Sequence, residues 1–121
     1  MNAALNQREK AKAWVDAWNR HDLEAVLSHY SQDIIFTSPY VLQRFDASGT
    51  IHGLTDLRRY IEGSFRRTPD LHFELIHVFE GVDSTVIHYH AVAGRLAAET
   101  HVFDETGAIC RVYCHYVSPE E

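Results

Sequence analysis

The chain has 121 residues, 45% of them hydrophobic and 23% charged, which predicts one compact domain over residues 1–121. The net charge is −6 with the histidines neutral, and the eleven Lys and Arg residues are scattered, so nucleic acid is not an expected partner. No apolar run approaches the roughly 20 residues of a membrane span, and no secretion signal opens the chain, so we expect a cytoplasmic protein without a membrane partner.

Hydrophobic residues at helical spacing predict two helices near the start of the chain. The first runs from about residue 5 to Arg20, with apolar positions at Ala11, Trp14, Val15 and Trp18. Asp22 suits the N-cap of the second helix. The apolar stripe of that helix consists of Leu23, Val26, Leu27 and Tyr30.

A strand, a loop and a third helix are predicted next. Residues 33–39, "DIIFTSP", form a short strand that Pro39 ends. Residues 40–52 show no clear period and are predicted to form a loop. Gly53 then opens the third helix, whose inward-facing residues are Leu57, Tyr60, Ile61 and Phe65.

After Pro69 the pattern changes to a period of two, which predicts β-strands. The strands are expected over residues 71–80, 86–92, 96–103 and 109–117. Tight turns connect them, and Gly107 supplies the positive φ that the last turn needs. Helices followed by an antiparallel meander indicate an α+β fold.

The two cysteines are expected to be free thiols. Cys110 and Cys114 lie four residues apart on the last predicted strand, so their Cα atoms should be about 13 Å apart. A disulfide needs a Cα separation below about 7 Å, so this pair cannot bridge within the chain.

The order of these elements, with "AWNRHDLEAVLSHYSQDIIFTSP" over residues 17–39, resembles the nuclear transport factor 2-like superfamily. More narrowly, the chain resembles the SnoaL-like branch, which includes polyketide cyclases and ketosteroid isomerases. "VFDETGAICRVYCHY", residues 102–116, fits the final hairpin of that family. The other matching positions are Trp18 and Asn19, Asp22 and Leu23, Tyr30, Asp33, Pro39 and Gly53.

This resemblance implies three N-terminal helices packed in a strongly curved, mostly antiparallel sheet, a cone-like α+β barrel that encloses a pocket. It also implies a small hydrophobic organic ligand, and in many members a homodimer formed through the outer face of the sheet. The expected substrate-binding residues are Trp14, Trp18, Tyr30, Phe36, Ser38, Tyr40, Tyr60, Val112, Cys114 and Tyr116.

The segment "VIHYHAVAGRLAAETHVF", residues 86–103, contains the candidate catalytic residues His88, His90, Glu99 and His101. Residues two apart on a strand share a face, so His88 lies beside His90, and Glu99 beside His101. A two-residue turn at 93–94 or 94–95 would bring both pairs to the same side, with opposed Cβ atoms about 5 Å apart. A bulge in the hairpin would break this inference.

Two observations disagree about whether this shared face points into the pocket or away from it. Ile87 and Tyr89, which alternate with the histidines along the strand, are more apolar. This pattern favours histidines that point away from the pocket. The resemblance places Glu99 where the isomerase branch carries a pocket-facing aspartate. On the last strand it points Cys110, Val112, Cys114 and Tyr116 inward. We therefore predict that the four candidate residues face the pocket.

Three kinds of chemistry suit this cluster. Three imidazoles and a carboxylate could hold zinc, iron or another first-row metal. Alternatively the groups could transfer protons, because histidine titrates near neutral pH and a carboxylate in a dry pocket can be held protonated. They could also simply hydrogen-bond one another and pocket water. We favour proton transfer without metal or cofactor, as in cyclisation, isomerisation or dehydration. The rival is a non-catalytic ligand-binding or dimerisation module.

The chain departs from the isomerase pattern at two positions. Ser38 stands where the resemblance would place the general base, and a hydroxyl cannot replace a carboxylate base at neutral pH. Trp14 stands where the isomerases carry a tyrosine that stabilises an oxyanion. A steroid isomerase of that type is therefore not expected.

Overall fold

The computed structural model describes residues 6–118. Within them, four α-helices surround and enter the concave side of one six-stranded sheet. The helices are α1 (Gln7–Asn19), α2 (Leu23–Leu27), α3 (Pro39–Arg44) and α4 (Leu54–Arg67). The strands are β1 (Tyr30–Thr37), β2 (Thr50–His52), β3 (Glu74–Glu80), β4 (Ser84–His90), β5 (Leu96–Phe103) and β6 (Ile109–Tyr116). The predicted α+β class is confirmed.

The first two helices begin at capping residues, and Asp22 is the N-cap that the sequence predicts for the second one. Asn6 and Glu9 form a reciprocal capping box at the start of α1, since each side chain accepts the backbone N–H of the other residue. The side chain of Asp22 accepts the N–H of Ala25 at the start of α2. Both helices turn apolar residues into the core. Helix α2 ends at Leu27, however, so Tyr30 belongs to β1 and not to the stripe of the second helix, where it was predicted.

The sheet has the strand order β2-β1-β6-β5-β4-β3, and every neighbouring pair is antiparallel except β1 with β6. Register shifts interrupt the β1–β6, β3–β4 and β5–β6 pairings, and such irregularities help a sheet to bend. The sheet is strongly curved, as predicted, and unclosed, with β2 and β3 at its two edges.

The segment predicted as a loop, residues 40–52, contains a helix and a strand. Ser38 caps α3 by accepting the N–H of Tyr40, and Pro39 is the first helical residue rather than only the end of a strand. Strand β2 follows, with Ile51 buried opposite Phe36 of β1. The described part of the chain therefore contains four α-helices where three were predicted, and residues of the additional one line the pocket described below.

The core lies between the helices and the concave face of the sheet. Trp14 is its centre, because its ring contacts those of Trp18, Phe73 and Tyr89. Its indole N–H donates to the Tyr30 hydroxyl at 2.9 Å. Among residues 6–118, no helix is long and apolar enough to cross a membrane.

Candidate functional site

The β4–β5 hairpin divides the predicted cluster between the two faces of the sheet. Glu99 lies opposite Ile87 and His101 opposite Thr85, and both side chains point inward and are 2% exposed. His88 and His90 point to the outer face, where both are half-buried. The prediction that all four side chains share one face is wrong for His88 and His90.

The length of the turn explains this error. The connection has three residues, Val92–Gly94, and the N–H of Ala91 donates to the carbonyl oxygen of Arg95 across it. Ala93 and Gly94 both have positive φ, at 59° and 70°. Compared with a two-residue turn, this connection shifts the pairing by one residue, which moves every side chain of one strand to the other face. The alternation of apolar residues in β4 had correctly indicated that His88 and His90 point away from the pocket.

A pocket, here called the inner pocket, opens between the helices and the concave face of the sheet. Its free volume is about 50 Å³. Aromatic side chains dominate its wall. Seven of the ten predicted substrate-binding residues line it: Trp18, Phe36, Ser38, Tyr40, Tyr60, Cys114 and Tyr116. The other three, Trp14, Tyr30 and Val112, are buried in the core instead.

Glu99 is the one carboxylate among the described residues that line the inner pocket. The Tyr89 hydroxyl donates to Glu99 Oε1 at 2.7 Å, and His101 Nε2 lies 2.9 Å from Glu99 Oε2. The ring of Trp14 packs edge-on against the His101 imidazole, with the ring centroids 4.8 Å apart. Both oxygens of a buried acid are therefore held in fixed positions.

Comparisons with known proteins identify the family to which this fold belongs. The family model described as a SnoaL-like domain matches residues 11–115. The chain belongs to the SnoaL-like family. No curated protein matches it by sequence. A SnoaL-like protein of unknown function from Burkholderia thailandensis is 37% identical with a TM-score of 0.88, and the match covers 95% of this chain and 100% of that one.

Two more distant structures share the SnoaL-like fold alone. A candidate ketosteroid isomerase from Kribbella flavida is 16% identical with a TM-score of 0.72, and the match covers 94% of this chain and 79% of that one. AclR, a candidate hydroxylase from Streptomyces galilaeus, is 19% identical with a TM-score of 0.70, and the match covers 91% and 87%.

The hydroxyl and thiol groups around Glu99 stay protonated at neutral pH in this SnoaL-like pocket. Burial is the main cause that raises the pKa of Tyr60, Tyr89, Tyr116 and Cys114. The nearby Glu99 raises the pKa of all four further. The pocket therefore presents neutral hydrogen-bond donors to a ligand, beside a single acid.

One donor in the pocket wall has no partner. Trp18 Nε1 is the one buried side-chain nitrogen or oxygen of residues 6–118 that makes no hydrogen bond. A buried polar group normally has a partner, because leaving it without one costs about 1–3 kcal/mol. The ring of Trp18 lines the inner pocket, but its N–H is enclosed by the protein.

Tyr89 and Arg44 are among the lining residues that sequence reasoning missed. Tyr89 was placed on the outer face, although its position among the apolar alternates of β4 indicates the inner one. Arg44 lines the mouth of the pocket and lies over the Tyr40 ring, 5.0 Å from its centroid. Its helix, α3, was not predicted because residues 40–52 show no clear hydrophobic period. The Ser38-Pro39 pair was the sequence signal for the start of a helix.

The histidines on the outer face do not join the acid of the inner pocket. His88 stacks on His77 with a centroid distance of 5.9 Å, and His90 Nδ1 lies 3.2 Å from the carbonyl oxygen of Gly94. In the part of the chain that the structure describes, no three His, Cys, Asp or Glu side chains are placed to share a metal ion. The metal alternative thus has no complete ligand set in the described residues.

Proposed function

We propose that the inner pocket binds a small, largely apolar organic molecule and that Glu99 exchanges a proton with it. The observation that carries this proposal is the position of Glu99, a buried acid that faces an aromatic pocket while Tyr89 and His101 fix its two oxygens. Such an arrangement suits acid–base chemistry without a cofactor, because the group is positioned before the ligand arrives. Membership of the SnoaL-like family supports the same class of ligand.

The proposed chemistry is proton transfer at a carbon beside a carbonyl group. Glu99 takes the proton, the C–H electron pair moves toward the carbonyl, and negative charge develops on the carbonyl oxygen. The neutral hydroxyls of Tyr60 and Tyr116, which line the pocket, are the donors available to that oxygen. Return of the proton from Glu99 to another carbon completes an isomerisation. In a dehydration, a hydroxyl group on the β carbon takes that proton and leaves as water. In a cyclisation, the enolate carbon attacks a second carbonyl carbon of the ligand, and the oxygen of that carbonyl takes the proton.

The dimensions of the pocket limit the ligand. A free volume of about 50 Å³ is small, since pockets for drug-sized ligands usually measure roughly 300–1,000 Å³. The hydroxyl of Ser38 caps α3, so it is engaged at the position where the isomerases carry their base. Both observations favour a compact ligand over a steroid.

Blocking the inner pocket should abolish ligand binding. Ala91 is buried and lines the pocket, so we expect Ala91→Phe to fill the free volume and to exclude the ligand. The measurement is non-denaturing mass spectrometry of the purified protein, followed by a screen of small cyclic ketones and enones by tryptophan fluorescence. Ala47→Phe, on the exposed loop after α3, is the control. Equal binding by the two variants would place the ligand elsewhere.

We also propose that the outer face of the sheet forms a homodimer. Phe79 on β3 and Tyr113 on β6 are 56% and 37% exposed on this face. Large exposed apolar side chains on a sheet face are typical of an interaction surface.

Introducing a charge on this face should produce monomers. We expect Tyr113→Glu to shift the protein from dimer to monomer in light scattering coupled to size-exclusion chromatography, because the substitution would bury an unpaired charge. Val82→Glu is the matched control, since Val82 is a fully exposed apolar residue in the β3–β4 turn. A Tyr113→Glu protein that remains dimeric would refute this interface.

A further inference from the structure

A second pocket, larger than the inner one, lies on the other side of the Glu99–His101 pair. It has a volume of about 320 Å³ and lies among the first turns of α1, residues 28–29 and the β5–β6 hairpin. His101 is in its wall, whereas Glu99 lines the inner pocket. The pair therefore connects two separate cavities.

The second pocket gathers basic groups without an acidic one. Lys10, His29 and His101 line it, and no Asp or Glu is among its described lining residues. Lys10 has weak partners there, because its Nζ lies 3.2 Å from the Gly107 carbonyl oxygen and 4.6 Å from the centre of the Phe103 ring. No described carboxylate forms an ion pair with Lys10.

The three basic groups lie close enough to repel one another. The pKa of His29 is lowered first by burial and then by the charges of His101 and Lys10. A bound anion would reverse these two repulsions, since opposite charges at short range favour the charged form of each group. The geometry of the pocket thus offers two imidazoles and an ammonium group to one ligand.

We propose that the second pocket binds a small oxyanion, a carboxylate or a phosphate group. Lys10 and His29 donate hydrogen bonds to the oxygens of this anion. His101 also lines the pocket and can supply a third contact. The binding itself does not depend on the function proposed for the inner pocket.

The position of His101 links the two pockets. Its Nε2 contacts Glu99 Oε2 at 2.9 Å, and its Nδ1 makes no hydrogen bond to the residues that the structure describes. Nδ1 is therefore the nitrogen left for the second pocket. With a proton on both nitrogens, the imidazolium donates from Nδ1 to an anion in the second pocket and from Nε2 to Glu99. This coupling to Glu99 rests on the proposed function.

Titration with two anions tests the site. Inorganic phosphate and malonate are added separately to the whole protein at constant ionic strength, and binding is followed by ¹H–¹⁵N NMR. We expect saturable shifts of the Thr106 and Gly107 amides, which lie in the pocket wall. Phosphate binding alone identifies a phosphate site, and malonate binding alone identifies a carboxylate site; either result supports the proposal.

Substitutions of the two partly exposed basic residues provide the decisive comparison. We expect Lys10→Met and His29→Gln each to weaken binding by about tenfold, because each removes a charge-assisted hydrogen bond. Lys12→Met is the matched control, since Lys12 is exposed on α1 and lies outside the pocket. Absence of saturable shifts in the wild-type protein, or equal affinity in all three variants, would overturn the proposal.

A second readout separates this site from the inner pocket. The anion should raise the pKa of His29, whose charged neighbours in the pocket are Lys10 and His101, with Glu99 behind His101. Ala91→Phe blocks only the inner pocket and should leave the anion affinity unchanged. A His29 pKa that does not move at saturating anion would contradict the proposed contact. These expectations for anion binding and for the His29 pKa hold whether or not Glu99 exchanges a proton with a ligand.

Discussion

Glu99→Gln should lower turnover of any substrate accepted by the inner pocket by about 10²–10⁴-fold, with little change in KM. Glutamine keeps the length of the side chain, and its amide oxygen can still accept the hydrogen bond that the Tyr89 hydroxyl donates. The amide cannot take up a proton from the ligand at neutral pH. The loss should therefore fall on kcat, and the measurement is steady-state kinetics on a substrate found in the ketone screen.

Two controls define this experiment. Glu74→Gln removes an exposed carboxylate on β3 and should leave turnover unchanged. His88→Ala should also leave turnover unchanged, because His88 lies on the outer face although the sequence placed it in the catalytic set. Full activity of Glu99→Gln with normal unfolding would remove the acid from the mechanism and leave a binding module. A large loss in His88→Ala would instead contradict the register of the hairpin.

His101→Gln distinguishes a positioning role from a purely structural one. His101 does not line the inner pocket, so it acts on a ligand there only through Glu99. The variant should lower kcat with little change in KM, because Glu99 Oε2 loses the ring that holds it while the wall of the inner pocket is unchanged. A purely structural role would instead lower the free energy of unfolding and leave kcat unchanged.

Most of the fold follows from local patterns in the sequence. The apolar spacing of α1, the Asp22 cap and Gly53 at the start of α4 are short-range signals, and each depends on residues within one or two turns. The period-two segments are equally local and correctly indicate β3 to β6. Elements whose stability comes from distant contacts were missed. Strand β2 has only three residues and exists because it pairs with β1.

The site was harder to predict because it depends on register. Glu99 and His101 share a face by strand alternation alone, and the structure confirms that they lie together and point inward. Adding His88 and His90 required knowledge of the turn length. An Ala93 with positive φ is uncommon for a residue without a polar side chain, so no local signal indicated a three-residue connection. A shift of one residue in the strand pairing then places the imidazoles of His88 and His90 on the other face.

The core and the site share residues, so part of the positioning of Glu99 is a matter of stability. Trp14 contacts the His101 ring, and the rings of Tyr89 and Phe73 pack on Trp14. Truncating Trp14 to alanine should cost about 3–5 kcal/mol in the free energy of unfolding. The same change would free the imidazole that holds Glu99 Oε2. Stability and activity should therefore fall together in that variant, which makes it a poor test of either alone.

Milder substitutions isolate the buried hydrogen bond between Trp14 and Tyr30. Tyr30→Phe should lower the free energy of unfolding by about 1–3 kcal/mol, because it leaves the Trp14 N–H buried without its acceptor. Trp14→Phe should cost a similar or greater amount through lost packing. The double variant should cost less than the two single losses added together, since both polar partners are then absent. Urea denaturation of the four proteins measures this difference. If the losses in free energy of unfolding of the two single variants simply add in the double variant, the hydrogen bond between Trp14 and Tyr30 does not stabilise the protein. The core beneath Glu99 would then depend on ring packing alone.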